Sequence, residues 1–148
     1  MGKPAHIGNP HGYPDYTWPM VWVLQDAELW PIEQWAAHVG VHKVWHVSWS
    51  QAAAGETSQG LYTVPAGKLV YVIHYISASD QPGVHRLVWT PPDTRPFEGP
   101  VAASNPIVIP WAPPLTVSAG KTIYVSILNR GSVTANDYVT VLAFELDA

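Results

Sequence analysis

Apolar and polar side chains alternate with a period of two along the chain from residue 41 onward. Over 41–50, Trp45 and Trp49 fall on one face, whereas His42 and His46 fall on the other. This period is that of a β-strand, whose successive side chains point to opposite faces. With the turn residues between such segments, it predicts about eight short strands, at 41–50, 61–64, 69–77, 84–90, 107–111, 115–117, 122–129 and 138–146.

Two long connections are predicted between these strands. Residues 91–106 form a proline-rich loop, and residues 130–137 form a polar loop. Many short strands divided by turns are typical of a β-sandwich, a jelly roll or a barrel. We therefore expect an all-β fold.

A repeated phrase favours the jelly roll among these architectures. Thr-Val, one turn residue and Ala-Gly-Lys precede a strand both at 63–68 and at 116–121. Gly67 and Gly120, which lie 53 residues apart, would supply the positive φ of a hairpin-like turn. Similar turns in the two halves of the chain suit a jelly roll built from two Greek keys.

Several predicted strands are apolar on both faces. In 69–77, Val70 and Val72 face away from Tyr71, and 138–146 repeats this pattern. A sandwich on its own buries one face of each sheet and leaves the other in water. We therefore expect the outer face to be covered by the N-terminal segment, a helix or a subunit interface. The alternative is that exposed aromatic residues are simply tolerated there.

Residues 1–30 carry four prolines, spaced four to six positions apart, and many aromatic rings. Proline is excluded from helix interiors and central strands, so an extended N-terminal arm is predicted over 1–30, followed by a body over 31–148. Large rings are costly to leave in water, which places the arm in a groove of its own body or of a neighbouring chain. The candidate arm and interface anchors are Tyr13, Tyr16, Trp18, Trp22, Trp30 and Trp35.

One short helix is predicted at 31–40. Pro31 suits the first turn, Glu33 suits the positive N-terminal end, and Gly40 suits the C-terminal stop. The predicted fold is thus a jelly-roll or β-sandwich of about eight strands with an extended arm and one short helix.

Charge is scarce, since 12% of the 148 residues are charged, against about 25% in soluble domains. Such a surface indicates cover by a partner. The 7 basic residues do not cluster, which argues against nucleic-acid binding. No apolar run approaches the ~20 residues of a membrane-spanning helix, and no signal core follows the N-terminus. We expect synthesis in a cytoplasm and, from 15 prolines and no cysteine, thermal robustness.

Histidine is the first candidate for chemistry. His38, His42 and His46 would form a metal-binding stripe on one helix, but the β pattern after residue 40 breaks that helix. On a strand, His42 and His46 lie about 13 Å apart, too far for one metal. His46, His74 and His85 could instead form a three-histidine metal site across a hairpin. Carboxylates are scarce nearby, so we expect structural histidines, no metal site and no cofactor.

Catalytic motifs are absent from the sequence. It contains no Gly-x-Ser-x-Gly nucleophile elbow, and neither Gly67-Lys68 nor Gly120-Lys121 has the surroundings of a phosphate loop. The carboxylate pairs, Glu28 with Glu33 and Asp93 with Glu98, lack the apolar setting of a raised acid pKa. We expect no catalytic residue and no enzyme activity.

Exposed aromatic rings can also stack on sugars, and a β-sandwich is a common carrier of such platforms. Trp45, Trp49, Trp89 and Trp111 are candidates, and Trp89 and Trp111 are the two proposed ligand-stacking residues. The alternative for all four is packing in the core or at an interface.

The phrase Tyr62–Lys68 and the second turn at Ser118–Lys121 resemble a phrase of small phage virion proteins, in which such a turn opens a jelly-roll strand. The resemblance covers about residues 60–148 and is shared by capsid, tail and fibre proteins. With the size, low charge and arm, the chain is most similar to the capsid decoration (cement) proteins of long-tailed phages of thermophilic bacteria. This implies a homotrimer on the virion surface, with the major capsid protein as partner.

Three functions remain open. The first is a structural virion protein that binds the outer surface of a phage capsid and stabilises it through subunit and arm contacts. The second is a carbohydrate-binding module or a tail-fibre-type receptor-binding domain. The third is a metal-dependent jelly-roll enzyme.

Overall fold

The computed structural model describes residues 22–25, 28–31 and 40–148. Strands β1 and β2 form a two-stranded sheet, and eight further strands form two four-stranded sheets. The strands are β1 (Trp22–Gln25), β2 (Glu28–Pro31), β3 (Val41–Gln51), β4 (Glu56–Thr63), β5 (Lys68–Ser79), β6 (Gly83–Thr90), β7 (Thr94–Val101), β8 (Ile107–Ser118), β9 (Thr122–Asn129) and β10 (Ala135–Asp147).

The two larger sheets form a sandwich. The first sheet has the order β3-β10-β5-β8, the second has the order β4-β9-β6-β7, and all neighbouring strands are antiparallel. This is the strand order of a jelly roll, in which two Greek keys wrap into a double sheet. The all-β sandwich predicted from the sequence is confirmed.

The strand order has an internal two-fold symmetry. Exchanging the strands that are four apart (β3 with β7, β4 with β8, β5 with β9 and β6 with β10) converts β3-β10-β5-β8 into β7-β6-β9-β4, which is the second sheet in reverse order. The same exchange relates the β4–β5 connection to the β8–β9 connection, where the repeated Ala-Gly-Lys phrase stands. The sequence repeat is therefore the local trace of the symmetry between the two Greek keys.

The two repeated turns confirm one prediction and correct another. Gly67 and Gly120 have positive φ, 73° and 82°. The turns are not hairpins, however, because each joins a strand of one sheet to a strand of the other. They lie side by side: Val64 N–H donates to Lys121 O at 2.9 Å, and Gly120 N–H donates to Val64 O at 2.8 Å. A turn's own residues set its φ, whereas packing decides which sheet the next strand joins.

The hydrophobic core lies between the inner faces of the two sheets. Val72, Val141, Leu87 and Ile123 come from the four central strands and are fully buried there. Each such side chain contributes about 1.5–3 kcal/mol of hydrophobic free energy. The period-two pattern puts Val70 and Val72 on one face of β5, and the structure shows that this face is the inner one.

Strand β7 lies where a loop was predicted. Residues Thr94–Val101 fall inside the proline-rich segment 91–106, yet they pair with β6. The reason is position, because β7 is an edge strand of the second sheet. Proline lacks the N–H of a central strand but is tolerated at an edge.

Strand β8 is one strand where two were predicted. The sequence divides it at Pro113 and Pro114, but Ile107–Ser118 forms a single strand along β5. The pairing is irregular opposite the prolines, with a register shift between Val72 and His74. Since β8 is the other edge of the first sheet, it also accommodates prolines.

Strands β1 and β2 add a hairpin to the segment predicted as an extended arm. Trp22 lies opposite Pro31, and Gln25 lies opposite Glu28. Pro31, predicted to open a helix, is the last residue of β2. It ends a short strand that belongs to neither four-stranded sheet, so its missing N–H interrupts no central ladder.

The other N-terminal predictions fall outside the described residues. These are residues 32–39 of the predicted helix and the anchors Tyr13, Tyr16, Trp18 and Trp35. Of the segments the structure describes, none is a helix long and apolar enough to cross a membrane.

Candidate binding surface

The outer face of the second sheet is charged. Arg86 pairs with Glu56 and, at 3.0 Å, with Glu98. Arg95 pairs with Glu98 at 2.9 Å and with Asp93 at 3.1 Å. Hydrogen bonds from these arginines hold the pKa of Glu98 below its usual value. Exposed ion pairs contribute little stability, but they indicate a face that is compatible with water.

The outer face of the first sheet has a different chemistry. Its described side chains alternate with the buried core residues of the same four strands and include no Asp, Glu, Lys or Arg. We call it the uncharged face. Its members include His42, Val44, His46, Ser48, Tyr71, His74, Ile76, Ala78, Val108, Pro110, Thr116, Tyr138, Thr140, Leu142 and Phe144. At one end of the face, Asn136 Nδ2 donates a hydrogen bond of 2.7 Å to Asp80 of the neighbouring turn.

Cross-strand rows make the uncharged face continuous. Val44, Leu142, His74 and Pro110 lie side by side across the four strands. The next row crosses the same strands through His46, Thr140, Ile76 and Val108. Neighbouring side chains in such rows lie about 4.5–5.5 Å apart and act as one surface.

Large apolar side chains on this face remain exposed. Val44 is 54% exposed, Tyr138 is 52% exposed and Val108 is 59% exposed. Polar side chains lie among them, such as His46, whose Nδ1 lies 2.9 Å from Thr140 Oγ1. An apolar patch of this kind indicates an interaction site. The uncharged face is therefore the outer face that we expect to meet a partner.

The tryptophans proposed for ligand stacking lie elsewhere. Trp89 is 5% exposed and belongs to the core, and Trp111 is partly buried against that core. Trp45 and Trp49 point inward from β3, and Trp45 stacks on Tyr62 with ring centroids 5.1 Å apart. This is the packing role that the sequence left open as the alternative to a sugar platform.

The three histidines considered for a metal site do not converge. His85 is fully buried on the inner face of β6, with its Nδ1 2.7 Å from Ser77 Oγ. Burial lowers the pKa of His85 to about 4. His46 and His74 lie on the opposite side of the first sheet, on the uncharged face. Over the described residues, no group of three His, Cys, Asp or Glu could hold a metal ion.

A polar group inside the sandwich was not predicted. Asp137 is fully buried, and its Oδ2 accepts a hydrogen bond of 2.6 Å from Gln51 Nε2. Burial raises the pKa of Asp137. The polar character of 130–137 predicts a loop position for this residue. Extending the alternation of 138–146 back by one residue would have placed it on the inner face.

Comparison with known proteins gives matches among solved structures. No protein-family model matches the sequence, and no curated protein matches it. A chain of the cyanophage Pam1 capsid asymmetric unit is 14% identical, with 72% of this chain and 86% of that chain covered and a TM-score of 0.47.

Two further similar structures are a virus structure and a carbohydrate-binding module. A chain of infectious bursal disease virus, Gx strain, is 12% identical, with 74% of this chain and 39% of that chain covered and a TM-score of 0.37. A carbohydrate-binding module, CBM4, is 18% identical, with 66% of this chain and 70% of that chain covered and a TM-score of 0.34. Such values carry no argument about function, and the fold assignment rests on the strand order.

Proposed function

We propose that this protein is a structural component of a phage virion that binds the outer surface of the capsid and stabilises the shell without catalysis. The uncharged face carries the proposal. It is a continuous sheet surface whose strands present no Asp, Glu, Lys or Arg side chain, and it exposes Val44, Val108 and Tyr138.

Free energy favours the uncharged face over the charged one as the contact surface. Burying an ion costs several kcal/mol unless a partner compensates it, so the network around Arg86 is best left in water. Fully burying a valine or leucine side chain contributes about 1.5–3 kcal/mol. The orientation that buries the most apolar area at the lowest free-energy cost is the one in which the first sheet faces the partner.

We infer the kind of partner from the sequence. The phrase Tyr62–Lys68 resembles phage virion proteins, and the low charge of the whole chain suits a protein held in a particle. The major capsid protein is therefore the proposed partner and the virion surface the proposed location. A homotrimer and a thermophilic host remain predictions.

Binding to phage heads tests the proposal. Heads of the phage that encodes this chain, assembled without it, are titrated with purified protein, and the bound fraction is measured by co-sedimentation. Tyr138→Glu places a charge on the uncharged face and should weaken binding at least tenfold, because the carboxylate must lose its hydration. Ser58→Glu places the same charge on exposed β4 of the second sheet and should bind like the wild type.

Equal loss in both variants, or wild-type binding by Tyr138→Glu, would contradict the assignment of the face. Wild-type protein that binds no heads but binds a glycan, with loss in Trp111→Ala, would favour the carbohydrate-binding alternative.

A further inference from the structure

The sandwich has four edge strands, and the two on one side are rich in proline. β8 contains Pro110, Pro113 and Pro114, and β7 contains Pro96 and Pro100. Proline offers no N–H to an approaching strand, so it protects a sheet edge from pairing with another chain.

The two edges on the other side, β4 and β3, differ from each other. β4 carries the exposed Glu56 and a bulge between Gly60 and Tyr62, both of which oppose pairing. β3 has neither a proline nor a bulge, and its eleven residues from Val41 to Gln51 pair with β10 without a register shift. Among the described strands, none pairs with the outward edge of β3.

Charge does not protect β3 either. Its single charged residue, Lys43, points inward, where its Nζ lies 3.4 Å from Glu145 Oε1 and 5.4 Å from the centre of the Tyr62 ring. An inward lysine can discourage edge pairing, but this one is already neutralised within its own subunit. Residues 44–51 carry no charge.

An apolar stripe runs beside this edge. Trp45, Val47 and Trp49 point toward the core but remain partly exposed, because β3 has a neighbour on one side alone. Large aromatic side chains that are buried on one side are typical anchors of protein interfaces.

We propose that β3 is a subunit interface, where it pairs antiparallel with β3 of a second copy of this chain about a two-fold axis. Such an axis brings the same edge of each copy together and requires no other strand. Each other edge of the sandwich is protected, so a second β3 is the matching edge that the chain itself supplies. The pair joins two first sheets into one eight-stranded sheet, and the two uncharged faces become continuous.

Pairing centred on His46 brings the two apolar stripes into contact and keeps the two Lys43 side chains apart. It places Trp45 opposite Val47 of the second copy, so each stripe covers the other. The two Lys43 side chains are then six residues apart along the strands, about 20 Å. This separation exceeds the ~8 Å screening length at physiological salt, so the copies meet without significant repulsion.

Particle mass in solution tests the inference without any capsid, so its outcome is independent of the proposed function. Full-length wild-type protein should contain an even number of copies: two, or six if copies also associate in threes. The double variant Val44→Lys/Ser48→Lys should halve this mass and raise the dissociation constant at least tenfold, because introduced lysines then face each other across the pair.

The other edge of the same sheet supplies the matched control. Val44 and Val108 are both exposed valines of the uncharged face, 54% and 59%, on β3 and β8 respectively. Val108→Lys/Thr116→Lys should keep the wild-type mass, and circular dichroism checks that both variants fold. One or three copies in the wild type, an unchanged mass in the β3 variant, or equal dissociation in the β8 variant would each overturn the inference.

Discussion

His85 is fully buried on the inner face of β6, where Ser77 is its hydrogen-bond partner. Burial disfavours the imidazolium and lowers the pKa of His85 to about 4. In the unfolded chain the ring is hydrated and titrates near its ordinary pKa of ~6.5. Between these pH values the unfolded chain therefore binds a proton that the folded protein does not bind.

The stability of the protein should fall as the pH falls through this window. The contribution of His85 is complete above pH 6.5 and lost toward pH 4, so the unfolding free energy should drop by about 2 kcal/mol between pH 7 and pH 5. Urea denaturation of the wild type and of His85→Gln at both pH values measures the difference. Asp137, whose pKa burial raises, acts in the opposite sense in both proteins. Equal pH dependence in the two proteins would contradict the assignment.

At the scale of elements, the sequence predicts most strands but not their partners. Alternation predicts β3, β5, β6 and β9 closely, because each has a buried inner face. It misses β7 and divides β8, because proline normally marks a loop and an edge position is a property of the whole sheet. The sequence predicts the positions of the two Ala-Gly-Lys turns correctly, but their crossing between sheets depends on long-range packing.

These turns allow a test of backbone strain. Gly67 and Gly120 have positive φ and open space where a Cβ atom would lie, so replacement by alanine costs backbone energy alone. Gly67→Ala and Gly120→Ala should each lower the unfolding free energy by about 1–2 kcal/mol. Gly60 also has open space but no positive φ, and Gly60→Ala should not destabilise the protein. Equal effects at all three positions, measured by urea denaturation, would show that φ is not the cause.

At the scale of the whole molecule, the two outer faces differ in their content of charged residues. The sequence shows that charge is scarce and that 69–77 and 138–146 are apolar on both sides, which predicts a covered outer face. It does not show that both segments lie in one sheet, while Glu56, Arg86 and Glu98 lie in the other. The proposed interaction surface can be recognised when strand order is known, because neighbours across a sheet are distant in sequence.

The proposal that the first sheet binds the shell can be tested by determining the orientation of the protein on phage heads. A cryo-EM map of heads that carry this protein, at a resolution that separates the two sheets, locates both faces relative to the shell. We expect the first sheet to face the capsid protein, with Val44, Val108 and Tyr138 in contact with it, and the network around Arg86 to face water. A map in which the second sheet lies against the shell and the uncharged face lies in water would contradict the proposed orientation.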